Sequence, residues 1–586
     1  MQKLFNLSFI SLLRKYIHTA FKNDLIAAVN VSLLAIPQGM AYALVAGLPV
    51  AYGIIGSGVA SILGGLLGGK RFITLGPTNA TAVLLFGMFA NLRMLDGEGQ
   101  VTGEGLLILP CVITLTALFL VTASILRISF FVKFISRTVI TAYITAAALL
   151  IIINQLKNAL GIREFSDEPI TNFASSIVFT AQNLVHSSWP EISISVITIC
   201  IYLLFKRFLP AFPSVAFSLA LSSLIASFYD QFGYNLTFLK PFSHNSRIFQ
   251  YPDFQLIGLN LVPLIETSLA LALLCLIEGL SIGKSLASRC GERIESNRET
   301  LSFGLSNLGC GFVAGMPCSG SLTRSSLNIN SGAKTRASNV FIGLIVIIAF
   351  VSFSNLIAYI SLSALSTLVI FIGLSLIKIK SLKTVTGATR SDALTFAITF
   401  GTALLFSLQM AIFAGIVTSI ILFLKKVAEP EMVEQGYNEK GELTNYSEKT
   451  VRPEPEVSIV HVEGELFFAA ADLFYEQIRR AGEDPNIKVL ILKLLNAHHL
   501  DATSVMALEE LLENFKKKDC HVLLCGIRKD VLRIFRDSGV LSRMNRLNIF
   551  PHSHKNPTLA TARAVKRAKE LLKVKPKVKI FSVEKE

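Results

Sequence analysis

The sequence predicts an α-helical polytopic membrane protein carrying a small cytoplasmic α/β domain, and three observations lead there. Apolar runs of about the length that spans a bilayer core recur from residue 24 to residue 426. Hydrophobic residues make up 52% of the 586 positions and charged residues only 16%, with a mean hydropathy of +0.57, which is too few charges for a soluble chain of this size. Beyond 426 the composition turns soluble, and apolar runs of strand length alternate with helical ones. The expected organisation is a cytoplasmic N-terminal segment over 1–23, a transmembrane domain over 24–426, a polar linker over 427–456, an α/β domain over 457–555 and a basic tail over 556–586.

Residues 1–20 set Phe5, Leu7, Phe9, Ile10, Leu12 and Leu13 beside Lys and Arg, as in an interfacial helix. Arg14, Lys15, Lys22 and Asp24 precede the first span and no small-residue cleavage site follows it, so no cleavable leader is expected. The first span starts near Leu25 and is expected to break at Pro37-Gln38-Gly39, where proline removes a helix hydrogen bond. Gln38 places an amide in the membrane, either to bond a neighbouring helix or to serve a site. The second span, 50–68, carries glycines at 53, 56, 58, 64 and 65 that allow close helix approach.

The stretch Gly76-Pro77-Thr78-Asn79 interrupts the next apolar region, and Ser319-Gly320-Ser321-Leu322-Thr323-Arg324 interrupts a later one. Each is followed by a new run. A helix that begins there begins inside the bilayer, with its first amides unpartnered and partial positive charge at that end. Such breaks belong around a buried cavity, and two of them facing one cavity make an anion site. Pro77 is expected in the first turn of the first half-helix.

The remaining spans are expected near 106–126, 130–153, 191–205, 211–228, 261–288, 300–314, 339–353, 362–377, 392–408 and 410–424, with an amphipathic piece in the outer loop 157–190. With the two half-helices the total is fourteen. Loop charge supports an even count. Lys70/Arg71, Arg127/Lys133, Lys206/Arg207, Lys284 to Arg298, Lys334/Arg336 and Lys378 to Arg390 fall on one side, and Asp96, Glu98 and Glu104 on the other. Both termini are then cytoplasmic, in a plasma or inner membrane. The breaks fall at spans three and ten, approached from opposite sides, as in a seven-plus-seven inverted repeat.

The tail from Thr561 to Glu586 carries much of the net charge of +15 and is read as a solvated or lipid-touching extension, while the basic residues elsewhere sit in short loops between spans, so nucleic acid is not an expected partner. The eight cysteines include no CxxC pair, and Cys111, Cys200 and Cys275 are expected to pack as small hydrophobes. No metal site is expected, and His498, His499, His552 and His554 are taken for surface residues. Neither HExxH nor Gly-x-Ser-x-Gly occurs, so no enzyme is expected. In the soluble part, strands are expected at 457–462, 489–494 and 522–525, and helices at 470–481, 503–517 and 529–538.

Pro37-Gln38-Gly39-Met40-Ala41-Tyr42-Ala43, Ala46 to Gly53, Leu75-Gly76-Pro77-Thr78, Glu278 to Lys284, Ser296-Asn297-Arg298-Glu299 and Gly332-Ala333-Lys334-Thr335 together resemble the SulP sulfate-permease family. The soluble part resembles the STAS domain that follows it. The resemblance covers about 20–550. It implies core and gate domains like those of uracil permeases, a homodimer, and transport of small anions such as sulfate, bicarbonate, chloride, oxalate or dicarboxylates. Carried over by motif, it points to Gln38, Tyr42, Pro77, Thr78, Ser321, Thr323 and Arg324 as substrate-binding residues.

Two departures stand out. Ile54-Ile55 replaces the usual Leu-Tyr, and Ala502 occupies the phosphoacceptor position of the related anti-sigma-factor antagonists, leaving Thr503 or Ser504 as substitutes.

Two helix termini at about +0.5 each, with Arg324, bring roughly +2 to the cavity, which suits a dianion. Glu278, well inside span eight, would cancel half of it if ionised. The expectation is that it is protonated when the dianion binds, giving proton-coupled sulfate uptake without a cofactor. Other readings are a structural Glu278–Arg324 pair, an Arg324 turned to lipid phosphate, Na⁺-coupled bicarbonate transport, dicarboxylate transport or anion exchange. In a different class is a membrane-anchored sensor whose STAS domain binds a cytoplasmic partner.

Overall fold

The computed structural model describes residues 16–96, 99–128, 136–162, 173–208, 214–239, 249–253, 255, 258, 261–406, 408–428, 431–437, 443–445, 456–481, 484–553, 556 and 558–573. The expected interfacial helix, apart from its last residues, the starts of the spans at 130 and 211, and the end of the basic tail lie outside them. The chain forms two units, Met1–Ser419 and Ile420–Glu586.

Each of the fourteen apolar segments is a helix: α1 (Lys22–Val45), α2 (Val50–Leu67), α3 (Asn79–Asn91), α4 (Gly103–Ile125), α5 (Arg137–Ala159), α6 (Trp189–Phe208), α7 (Ser214–Gln231), α8 (Leu261–Arg289), α9 (Ser296–Gly311), α10 (Leu322–Asn330), α11 (Ala337–Phe353), α12 (Leu362–Leu376), α13 (Arg390–Leu405) and α14 (Leu408–Val427). Among the described residues, seven helical stretches are long and apolar enough to cross a membrane. By contrast α3 has 13 residues and α10 only 9, about 20 Å and 14 Å, short of the roughly 30 Å hydrocarbon core. The expected amphipathic piece is the short helix Phe173–Gln182, and another, Ile379–Ala388, follows α12.

Pro37 does not end the first helix. α1 runs through it to Val45. Proline removes one amide from the ladder, but α1 packs against α2, α10 and α11, and those neighbours hold its direction. The closest approach is to α2: a Cβ on Gly53 would collide with the carbonyl of Gly39, and one on Gly39 with that of Gly53.

Helix packing repeats after seven helices. α4 packs on α9 as α11 does on α2, α4 on α8 as α11 on α1, and α3 on α8 as α10 on α1. The same shift carries α5 against α13 onto α12 against α6. Helices α1–α4 and α8–α11 thereby form one group. In the other, α5 packs on α12 and α13, α6 on α7 and α12, and Gly415 of α14 sits against Thr399 and Val139. Cys111 and Cys275 are buried as expected, whereas Cys200 lies exposed on α6.

The second unit is a six-stranded sheet in the order β4-β3-β5-β6-β7-β8, built from β3 (Glu431–Tyr437), β4 (Leu443–Asn445), β5 (Val457–Glu465), β6 (Val489–His498), β7 (His521–Ile527) and β8 (Ile549–Pro551). Strands β5 to β8 pair in parallel; β3 joins β5 and β4 antiparallel. The stretch 427–456, expected as a linker, thus supplies two strands on one side of the sheet, β4 at its edge and β3 between β4 and β5.

One face of the sheet, with Val460, Val462, Leu490, Leu492, Val522 and Leu524, packs on α15 (Phe468–Ala481), α16 (Ala502–Lys517) and α17 (Lys529–Asp537). The other face, with Ile459, Val489, Ile491, Leu523 and Cys525, is covered by Ala564, Val565 and Ala568 of α18 (Leu559–Leu571). Residues 559–571 are therefore not a basic extension. Parallel strands apolar on both faces need two covers, and α18 supplies the second from its Ala/Val stripe.

Candidate functional site

The two breaks meet. β1 (Leu75–Gly76) pairs antiparallel with β2 (Ser319–Gly320), Leu75 opposite Gly320 and Gly76 opposite Ser319. Each strand runs within two residues into its half-helix, so α3 and α10 leave the pair in opposite directions.

Thr78 is the N-cap of α3. Its Oγ1 accepts from the Thr81 amide at 3.4 Å, and its own amide donates to Thr81 Oγ1 at 3.0 Å. Pro77 accordingly precedes the cap instead of sitting in the first turn, because the hydroxyl at 78 provides the capping oxygen. Ser321 caps α10 in the same way, accepting from the Arg324 amide at 3.5 Å. The amides of the first positions after each cap, Asn79 and Ala80 in α3 and Leu322 and Thr323 in α10, have no intrahelical acceptor.

Arg324 is fully buried, and its Nη2 donates to the Pro77 carbonyl at 2.7 Å. Its Nε and Nη1 have no partner. The guanidinium fits where Gly76 has no side chain: a Cβ there would stand 2.9 Å from Nη2 and 3.0 Å from Nη1. Burial excludes the reading in which Arg324 meets lipid phosphate. No ion pair joins it to Glu278, whose Oε2 instead accepts from Ser319 Oγ at 3.5 Å.

The other candidates fall around this centre unequally. Tyr42, buried on α1, lies within electrostatic reach of both Arg324 and Glu278. Gln38, one turn earlier, is buried with Oε1 unpartnered. Thr323 is exposed and touches Ser321 through their hydroxyls at 3.2 Å.

Two residues absent from the motif carry-over join them. Asn79 is 8% exposed, and neither its Oδ1 nor its Nδ2 has a partner. Its signal in the sequence is its place directly after the capping Thr78. Tyr143 of α5 donates its hydroxyl to the Ala80 carbonyl at 3.1 Å and lies within electrostatic reach of Glu278. Nothing in its surroundings, an alanine- and threonine-rich span, marks it out. The arrangement gathers one guanidinium, two helix N-termini and unpaired amide groups without a nucleophile–base pair, which suits holding an anion and not cleaving a bond.

A helical membrane core with two half-helices meeting at a two-stranded pair, followed by a parallel-sheet domain, defines a transporter. Residues 21–399 match the model of the sulfate permease family and 448–556 that of the STAS domain. The chain belongs to the sulfate permease family, a family of anion transporters and not of enzymes. It is 24% identical over 535 residues to the putative sulfate transporter YvdB of Bacillus subtilis (strain 168), covering 91% of this chain and 96% of that one. It is 27% identical over 568 residues to the sodium-independent sulfate anion transporter of Bos taurus, covering 90% and 87%. Among solved structures, murine Slc26a9 in its inward-facing state superposes with a TM-score of 0.83 at 20% identity, over 96% of this chain and 93% of that one. The transmembrane domain of a cyanobacterial bicarbonate transporter, BicA, gives 0.57 at 20% identity, over 68% and 97%. These likenesses extend to the fold.

In the STAS domain, Asp501 caps α16, accepting from the amides of Ser504 at 3.0 Å and Phe468 at 2.7 Å. Ser504 is buried and its hydroxyl donates to the Leu466 carbonyl at 3.0 Å, so that hydroxyl is already committed. Ala502 and Thr503 are exposed beside it.

Proposed function

We propose that the chain carries sulfate inward together with a proton, binding the dianion between the N-termini of α3 and α10. The observation that carries this reading is the buried Arg324, which brings a full positive charge to the Pro77 carbonyl at the entry of α3 while two of its nitrogens stay unpartnered. Ser321 caps the half-helix that carries it, Tyr42 lies within its electrostatic reach, Thr78 and Asn79 follow the Pro77 it bonds, and Gln38 precedes Tyr42 on α1 by one turn. A dianion neutralises this charge better than a monoanion does. Among the described residues Glu278 has no cationic partner and accepts only a 3.5 Å hydrogen bond from Ser319, so as a carboxylate it would oppose the dianion, whereas as a carboxylic acid it would not. Loop charge supports cytoplasmic termini. The homodimer rests on the family resemblance.

The test is labelled sulfate uptake into proteoliposomes. Uptake should be driven by a proton gradient, acid outside, should be indifferent to Na⁺, and should be competed by dianions before monoanions. Uptake of bicarbonate in preference to sulfate, driven by Na⁺, would overturn the substrate and the coupling together. Absence of any anion uptake alongside capture of a soluble partner by the STAS domain would replace transport with sensing.

A further inference from the structure

We propose that Asn339 and Asn307 are positioning residues for the anion site: two buried amide clips, from α11 and α9, that fix where the N-termini of α3 and α10 stand. The inference rests on the reading of those termini as the anion site.

Strands β1 and β2 are two residues long each. A pair that short does not sustain itself, and in a membrane core every backbone group beside it needs a partner. The approaches to both strands are bonded by side chains instead. Asn339, 1% exposed, donates from Nδ2 to the Ile73 carbonyl at 3.0 Å, and its Oδ1 accepts from Thr74 Oγ1 at 2.8 Å and from Asn328 Nδ2 at 3.3 Å. Thr74 is bonded on all sides by the second half of the domain: its amide donates to Ser325 Oγ at 2.9 Å, and its carbonyl accepts from the Ser321 amide at 3.1 Å. Ser321 is itself the cap of α10, so Thr74 couples the entry of one half-helix to the start of the other.

Asn307, fully buried, does the same for the second strand. Its Oδ1 accepts from the Cys318 amide at 2.9 Å and its Nδ2 donates to the Cys318 carbonyl at 3.0 Å. Each clip uses a donor and an acceptor on one rigid plane, which a carboxylate or an aliphatic side chain cannot supply. The hydrogen bonds of Asn339 go to Ile73, Thr74 and Asn328 and those of Asn307 to Phe303 and Cys318, none of them a candidate anion ligand. They act through the backbone that carries the caps, and misplacing pre-aimed donors by a fraction of an ångström weakens a site without unfolding it.

The experiment compares Asn339→Asp, Asn307→Asp, Thr74→Val and Thr74→Ser with the unaltered full-length protein in liposomes. Initial uptake is measured against sulfate, bicarbonate and dicarboxylate concentration, and thermal unfolding with and without the transported anion. The expected result is a half-saturating concentration raised about tenfold by the first three, a smaller fall in maximal rate, and a reduced anion-induced shift in unfolding temperature. Thr74→Ser, which keeps the hydroxyl, should behave as the parent. If the Asp variants do not fold, Thr74→Val carries the test through the loss of one hydroxyl. Variants with lowered unfolding temperature but unchanged half-saturation would make the clips merely structural and overturn the inference. If the unaltered protein transports no anion at all, the proposed function falls first and takes this inference with it.

Discussion

Arg324 and Pro77, 247 positions apart, are joined by a 2.7 Å hydrogen bond from Nη2 to the proline carbonyl. A cation contributed by one half-helix is thereby spent on the entry to the other, and Gly76 is the reason it fits.

Replacing Arg324 with Gln should remove that charge and a charge-assisted hydrogen bond, a loss of about 1.5–3 kcal/mol. Sulfate half-saturation should rise by roughly tenfold to a hundredfold. Arg324→Lys keeps the charge without the planar donors and should fall between the two. Equilibrium binding of labelled sulfate to purified protein checks the order; equal affinities for all three would remove Arg324 from the site.

Gly76→Ala tests the same contact from the other side. The added methyl would meet three guanidinium atoms within 3.1 Å, so the guanidinium must shift off its place beside Pro77. Overpacking of this kind costs about 1–3 kcal/mol. Sulfate affinity should drop while the fold persists, and Gly76→Ala combined with Arg324→Gln should be no worse for binding than Arg324→Gln alone, since both act on one interaction.

Glu278→Gln addresses the coupling. Glutamine resembles the protonated acid, so uptake should stay near its low-pH rate and lose its dependence on external pH. The readout is sulfate flux at several fixed pH values on both sides of the bilayer. A variant whose flux is as steep in pH as the parent's would remove Glu278 as the proton carrier.

In the STAS domain the Asp501 carboxyl would be raised by burial alone, but hydrogen bonds from the Ser504 and Phe468 amides outweigh burial and hold it below the ordinary aspartate value of 3.8. A depressed value in the folded state stabilises above the unfolded value. That contribution is therefore present at neutral pH and is lost as pH falls below 3.8. Asp501→Ala should cost about 1 kcal/mol at neutral pH as a lost helix cap. Hydrogen exchange of α16 in the full-length protein should then speed up about fivefold at neutral pH, and by progressively less as pH falls below 3.8.

Much of the candidate site was legible because Gly, Pro and hydroxyl residues break helices wherever they cluster. Gly76 to Asn79 and Ser319 to Arg324 announced two interrupted spans without any knowledge of their neighbours. The same local logic misjudged Pro37. A proline's effect on a helix depends on what packs around it, and α1 is held by the helices around it, α2, α10 and α11 foremost. It also misjudged 559–571, where net positive charge obscured the Ala560, Ala564, Val565, Ala568 stripe that lies against the sheet.

The sequence by itself determined the alternation of apolar runs, the two breaks, the strand–helix pattern of the second domain and the family, because each is written in the order and spacing of neighbouring residues. Only the tertiary structure decided that Arg324 turns to Pro77 and not to Glu278, that Asn79 is left without a partner, and that Asn339 and Asn307 hold the strand entries. Asn339 reaches Ile73 from 266 positions away. No local period encodes a contact at that separation; it exists only once packing has brought the two halves together.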